Sequence, residues 1–444
     1  MSRVVVVGAG IGGLTAARDL ATAGHDVVVL EGSPRVGGKL RRTEVGGVMV
    51  DVGAEAMLNR RPEGVELARD LGLPIEHPTR ASSRIWTRGA LRPLPRSLMG
   101  VPLDLPALEA SGVLSADGLA RVRAERDRPA SSYDGDVSVG ELVDERYGPE
   151  VTDRLVEPLL GGVYAGNARQ LSARATVPQL IALAGGVAPP TPVSDAPVFA
   201  GIAGGLARLP ELLAASLDVR TDAPVRELRR TDSGWSVVVG PTTAPELVEA
   251  DAVVLAVPAA PAARLLTDVA PAAATELAGI GYASMAVVTL ALRAAEVPEL
   301  AATDSSGFLV PPVDGRRIKA STFSFAKWGW VRAAGGGLLL VRTSLGRYGE
   351  EVALQATDEE LVAWSRADLH DAVGLTAAPV DSLVQRWGGG LPQYAVGHLE
   401  RVARIRAALD AAPGLAVCGA AYDGVGIPAV IASAHRAATE VVPT

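Results

Sequence analysis

The sequence predicts an α/β fold organised around a parallel sheet, and three observations carry that prediction. A buried-strand run at Arg3–Val7, a helix pattern at residues 12–23 and a second strand run at Asp26–Leu30 follow one another in βαβ order. The turn after the first strand reads "GAGIGG", residues 8–13, with glycines in the spacing that a strand-to-helix turn around a phosphate requires. Far downstream, two more short apolar runs, "ADAVVLAVP" at 250–258 and "LAVCG" at 415–419, have the continuous hydrophobicity of strands buried on both faces.

The remaining elements follow in order. Residues 63–73 carry a helix pattern, and 84–95 read as a hairpin turning at Arg88 and Gly89. From 97 to 184 the chain is helical and irregular. Its apolar stretch 98–114, broken by Pro102 and Pro106, fits either a packed helix pair or a membrane-surface patch. The Pro- and Gly-rich stretch 185–197 reads as a loop and a boundary. A helix is expected over 204–217, strands at 224–228 and 235–239, strand-rich sequence over 282–343, and a helix over Asp358–Val373. This pattern predicts a nucleotide-binding unit built from residues 1–75, 198–270 and 386–444. A mixed-sheet unit is expected from 76–96 and 271–385, with a helical insertion at 97–197.

With 444 residues the chain is too long for one simple core, and its hydrophobic content of 48% supplies a large one. A net charge of −8 argues against nucleic acid as a partner. The single cysteine, Cys418, forbids an internal disulfide and suggests a reducing compartment. The five histidines are scattered, so no metal site is expected. No signal-peptide layout and no long uninterrupted apolar run are visible, so the expected location is cytoplasmic. Any contact with a membrane surface would be peripheral.

In the N-terminal turn, Gly8 permits the tight bend, Gly10 leaves room for a diphosphate against the backbone, and Gly13 lets helix and strand pack closely. Glu31 ends the second strand, where a carboxylate can bind ribose hydroxyls. The arrangement is Rossmann-like and does not by itself separate NAD from FAD. The following "EGSPRVGGKLRRT", with Glu31, Arg35, Gly37, Gly38 and Thr43, resembles the second fingerprint of the flavin-dependent amine oxidase superfamily. Three further segments look like those of the porphyrinogen oxidases: "EPLLGGVYAGNARQLS" at 157–172, "RWGGGLPQYAVGH" at 386–398 and "GAAYDGVGIPAVIASA" at 419–434. "SPRVGGK", "MGVP" and the 157–166 segment look closest to the Gram-positive coproporphyrinogen III oxidases.

That resemblance implies an architecture like that of p-hydroxybenzoate hydroxylase and the amine oxidases, with FAD as cofactor. It implies an enzyme converting coproporphyrinogen III to coproporphyrin III in haem biosynthesis, by three hydride transfers to flavin N5 with oxygen reduced to hydrogen peroxide. Protoporphyrinogen IX is the alternative substrate, and the next haem-pathway enzyme an expected transient contact. No catalytic side chain is expected, because the cofactor carries the chemistry.

By the same resemblance, Gly8, Ala9, Gly10, Ile11, Gly12 and Gly13 would hold the diphosphate, with Arg35 and Gly38 close by. Glu31 and Gly32 would meet the ribose, and Val225 the adenine. Lys39 and the loop Gly53, Ala54, Glu55, Ala56 would lie along the flavin. Trp387, Gly419 and the turn Val425, Gly426, Ile427 would meet its ring. The family has G-P-[DE]-S where this chain has "GAEA", so loss of Pro and Ser is expected to loosen that loop; Ala429 replaces a usual acidic residue.

After the last turn, Ile427, Val430, Ile431 and Ala434 form a helix stripe, with Pro428 at its first position. Substrate propionates ask for cations. Arg61, Arg92, Arg96 and Lys327 are the candidates, Arg332 a weaker one, and Trp328 and Tyr394 are either core or wall. Rival readings on related folds are an amine or amino-acid oxidase, a carotenoid desaturase, and a non-enzymatic relative of the Rab escort and GDP-dissociation-inhibitor type.

Overall fold

Val4 to Val7 are four consecutive buried valines, so their strand must be covered on both faces. In the computed structural model, which describes residues 1–133, 135–187 and 196–442, Arg3–Val7 is the centre of a five-stranded parallel sheet. The strand order is Asp218–Arg220, Asp26–Leu30, Arg3–Val7, Ala252–Leu255, Leu415–Val417, all pairs parallel. Strands far apart in the chain thus lie side by side.

Alternation along the strands assigns the two faces. Val4, Val6, Val29 and Val254 face the helices Ile11–Thr22, Pro62–Asp70 and Ile427–Val441. Val5, Val7, Val28, Val253 and Leu255 face a three-stranded antiparallel sheet over residues 225–250 and the helices Ala259–Leu266, Pro271–Ala278 and His398–Leu409. Each such side chain contributes about 1.5–3 kcal/mol relative to exposure.

The second sheet has seven strands, in the order Asp381–Pro392, Tyr282–Arg293, Leu338–Leu345, Ile318–Phe323, Ser305–Leu309, Ser82–Thr87, Ala90–Pro93. It is mixed: Ser305–Leu309 runs parallel to Ser82–Thr87, and the other neighbours are antiparallel. Helices between residues 105 and 184 form a third layer with its own core around Leu108, Val143, Leu155 and Leu160. Among the described residues no helix is long and apolar enough to cross a membrane.

Three expectations change. The helix expected over 204–217 is only Arg208–Ala214. Gly204 and Gly205 take left-handed backbone, with φ of +82° and +102°, which sets the later start, and Asp51 accepts hydrogen bonds from Leu206 N at 2.8 Å and Ala207 N at 3.3 Å just ahead of the helix. The strand expected over 250–258 is shorter, Ala252–Leu255 in the parallel sheet, and Ala250 ends a separate strand, Glu246–Ala250, of the antiparallel sheet. In 98–114 only Leu105–Ser111 is helical, capped by Asp104, after a small strand pair. Its Val101, Leu108, Val113 and Leu114 point into the helical core. Of the expected loop 185–197, residues 188–195 lie outside the described ones.

Candidate active site

The sheets and the helical layer leave a cavity of ≈ 690 Å³ between them. One end is made of backbone turns: Gly8, Gly10 and Gly12, then Gly37 and Gly38, then Gly53, then Gly419 and Gly426. The other end is a face of the mixed sheet, with Met285, Val287, Leu309 and Thr322, closed by Leu391 and by Gly162 and Val163 of the helical layer.

The glycines fall into two physical groups. A Cβ at Gly8, where φ is +104°, would lie 2.8 Å from Ala256 O, and one at Gly13 would lie 1.9 Å from Gly8 O. These two are fixed by packing within the protein. A Cβ at Gly10 or Gly419 would meet nothing within 4 Å, and one at Gly426 only Pro428 Cδ at 4.0 Å. All three line the cavity, so what their bareness admits lies inside it.

Two helices start at this cavity, Ile11–Thr22 after Gly10 and Ile427–Val441 after Gly426, and neither has a side-chain cap. Their first N–H groups and the positive ends of their dipoles are therefore available to an anion. Pro428 stands second in its helix rather than first, and the Ile427, Val430, Ile431, Ala434 stripe is buried. A diphosphate at one helix start and an electron-rich ring at the other match this pair, so the residues present fit FAD.

Most expected cofactor residues converge here. Gly8, Gly10, Ile11, Gly12, Glu31, Gly38 and Lys39 line the cavity, as do residues 53–56, Trp387, Gly419, Val425, Gly426 and Ile427. Glu31 already accepts bonds from Ala9 N at 2.8 Å and Ser33 N at 2.9 Å, which fixes the carboxylate under the glycine turn. Burial brings the Lys39 ammonium down to about 8.

Ala9, Gly13, Gly32, Arg35 and Val225 do not line the cavity. Arg35 turns back on its own loop, donating to Val36 O at 3.2 Å and Gly38 O at 2.9 Å, and so braces the loop. Val225 starts a strand next to Pro224, which packs against Gly32.

The loop "GAEA" is held firmly, contrary to expectation. Glu55 pairs with Lys327 Nζ at 2.7 Å and Arg342 Nη1 at 2.7 Å, and accepts a bond from Ser324 Oγ at 3.2 Å. Arg342 also donates to Gly53 O at 2.6 Å. Burial pushes the Glu55 carboxyl up, but the two cations and their hydrogen bonds outweigh it and hold it at about 2. The loop is fixed by charge from a strand of the mixed sheet and from the helix Ser324–Lys327, in place of a proline ring. The Trp387 indole donates to Val52 O at 3.2 Å at the same loop.

The C-terminal turn is tied from within. The buried Tyr394 hydroxyl donates to Ala420 O at 2.6 Å and accepts from Gly424 N at 2.8 Å, while its ring stacks on His398 at 3.8 Å. Tyr394 and Trp328 are thus core residues and not cavity walls.

None of the four cations expected at the propionates lines the cavity. Arg61 pairs with Glu63 at 2.7 Å, Arg92 donates to Thr87 O at 3.1 Å within its hairpin, and Lys327 is taken by Glu55. Arg96 is likewise absent from the lining, and Arg332 stacks on Phe325. The lining cations that sequence reasoning missed are Lys319 and Arg342. Both lie in strand-rich sequence with nothing local to mark which side chains face inward. Among the described residues no group of His, Cys, Asp and Glu could hold a metal ion.

Comparison with known proteins places the chain among flavoproteins. The family described as flavin containing amine oxidoreductase matches residues 11–442. The coproporphyrinogen III oxidase of Mycobacterium leprae (strain TN) is 40% identical, over 97% of this chain and 96% of that protein. That of Bacillus subtilis (strain 168) is 29% identical, over 99% and 97%. The solved structure of an Exiguobacterium sp. 255-15 protein assigned as a protoporphyrinogen oxidase superposes with a TM-score of 0.86 at 30% identity, over 98% of this chain and 97% of that one.

Proposed function

The chain belongs to the flavin containing amine oxidoreductases, and from that footing we propose that it is a coproporphyrinogen III oxidase. It would convert coproporphyrinogen III to coproporphyrin III with FAD as cofactor and oxygen as final acceptor. The supporting relatives carry that name over nearly their whole length. The observation that carries the reading is the single cavity with two unlike ends, glycine backbone at one and an apolar sheet face at the other. One end suits a dinucleotide and the other a large substrate with an apolar ring framework.

Over three rounds the substrate loses three hydrides from meso carbons and three protons, two of them net from pyrrole nitrogens and the third from the remaining meso carbon by tautomerisation, which completes the conjugation. Bound FAD supplies the hydride acceptor and the route of the electrons to oxygen. The chain supplies placement. The turns at residues 8–13 and 419–427 would hold the cofactor by backbone, with Trp387 and the Glu55-anchored loop beside its ring. Met285, Val287, Leu309 and Leu391 form the wall that orients the macrocycle and excludes water from the reacting centre. No acid–base pair is required of the side chains; the ion pair in the lining, Glu55 with Arg342, anchors the loop at Gly53.

Anaerobically prepared coproporphyrinogen III and protoporphyrinogen IX, exposed to air with the FAD-loaded protein, test the reading. Porphyrin fluorescence should rise well above autoxidation, fastest with coproporphyrinogen III. A rate equal to autoxidation with both substrates would overturn it.

A further inference from the structure

We propose that Lys319 is a specificity-determining residue whose ammonium receives a propionate carboxylate of the tetrapyrrole, on the sheet face across from Trp387. The inference rests on the coproporphyrinogen oxidase reading and names the side chain that sets its substrate preference.

Lys319 lines the cavity yet is only 4% exposed. Among the described residues its hydrogen bond goes to a carbonyl, Gly346 O at 2.9 Å, and no carboxylate pairs with it. One carbonyl leaves two of the three ammonium N–H groups without partners. A buried cation in that condition is costly unless an anion arrives. Burial, with the nearby Arg347 guanidinium as the second cause, brings the Lys319 ammonium down to about 7, the mark of a site short of negative charge.

The backbone aims this side chain deliberately. The register of Ile318–Phe323 against Leu338–Leu345 shifts between Ile318 and Ala320, so Lys319 is the extra residue of a bulge. Bulges re-aim a side chain that regular alternation would send elsewhere.

The other lining cations stand elsewhere or are already paired. Lys39 belongs to the turn end of the cavity, 5.9 Å from the Tyr282 ring, and Arg342 is bound to Glu55 and Gly53. The strand of Lys319 is three places from that of Trp387 in the sheet order, roughly 14 Å at normal strand spacing. A tetrapyrrole whose meso carbon lies at the flavin would extend its outer substituents across that distance. Coproporphyrinogen carries a propionate on every pyrrole and offers one to Lys319 in any ring orientation. Protoporphyrinogen, with vinyl groups on two pyrroles, does so only when its propionate edge is turned that way.

The test uses the FAD-loaded full chain and the variants Lys319→Met, Lys319→Gln and Lys319→Arg. KM and kcat are measured with both porphyrinogens, and binding of coproporphyrin III and protoporphyrin IX by fluorescence titration. Loss of a charge-assisted pair should raise KM for coproporphyrinogen about 10-fold in the Met and Gln variants. kcat should change little, protoporphyrinogen should suffer less, and coproporphyrin III should bind more weakly; Lys319→Arg should keep most of the preference. Flavin content and unfolding midpoints show that the variants fold, and Lys319→Gln stands in if Lys319→Met does not.

An unchanged ratio of kcat/KM between the two substrates overturns the inference. So does an equal fall in kcat with both, which would mark a proton acceptor instead. A wild-type chain that oxidises neither porphyrinogen overturns the functional reading itself.

Discussion

Glu55 shows how one carboxylate can replace a rigid turn. Sequence comparison with the porphyrinogen oxidases marks the missing proline and serine around it as a weakness. The fold answers with Lys327 and Arg342, which reach the loop from a helix and a strand of the other sheet. Lys327 was expected at a substrate carboxylate, and its actual partner is a protein one. Removing one member of a buried pair strands the other, so Glu55→Ala should destabilise the fold by about 3–5 kcal/mol and loosen flavin binding. The carboxyl is held at about 2 against an ordinary 4.5. A depressed carboxylate stabilises the fold fully above its unfolded value, and that contribution is lost as the pH falls through the folded one. Wild-type stability should therefore decline between pH 4.5 and 2, and Glu55→Gln should remove part of that slope. Denaturant midpoints measured across this range check both points.

At the scale of elements, the two glycine-led helices divide their glycines between packing and cavity. Gly13 presses on Gly8 O, while Gly10 faces open space in the cavity. The two should fail differently. Gly13→Ala should cost about 1–3 kcal/mol or more through overpacking of helix on strand, in the apo chain as well as with FAD. Gly10→Val, whose backbone already has extended geometry at φ −74° and ψ 175°, should leave apo stability within about 0.5 kcal/mol. It should nevertheless purify colourless, because its side chain enters the cofactor's space. Apo denaturation curves and the 450 nm absorbance of purified protein separate the cases. A yellow Gly10→Val variant would contradict the placement of the cofactor. The motif spacing alone treats both glycines alike, since it records residue type and position but not which neighbour each one meets.

For the whole molecule, the parallel sheet depends on strands from both ends of the chain. The last strand, Leu415–Val417, pairs with Ala252–Leu255, and the last helix packs on Ile11–Thr22 and supplies the second turn of the cavity. A chain truncated after residue 410 should lose cooperative unfolding and bind an apolar dye, since it exposes a sheet edge and a helix face together. Calorimetry and dye fluorescence read this directly, and a sharp native-like transition in the truncated chain would contradict it. The sequence by itself determined the βαβ start, the fingerprint around Glu31 and the final glycine turn. Each is a local requirement of backbone geometry, written within a dozen residues. It also carried the order of the family segments along the whole chain. Which cations face the cavity was decided only by the tertiary structure. A single bulge turns Lys319 inward and a partner from another element draws Lys327 away; strand register and long-range pairing, not residue type, decide what a side chain meets.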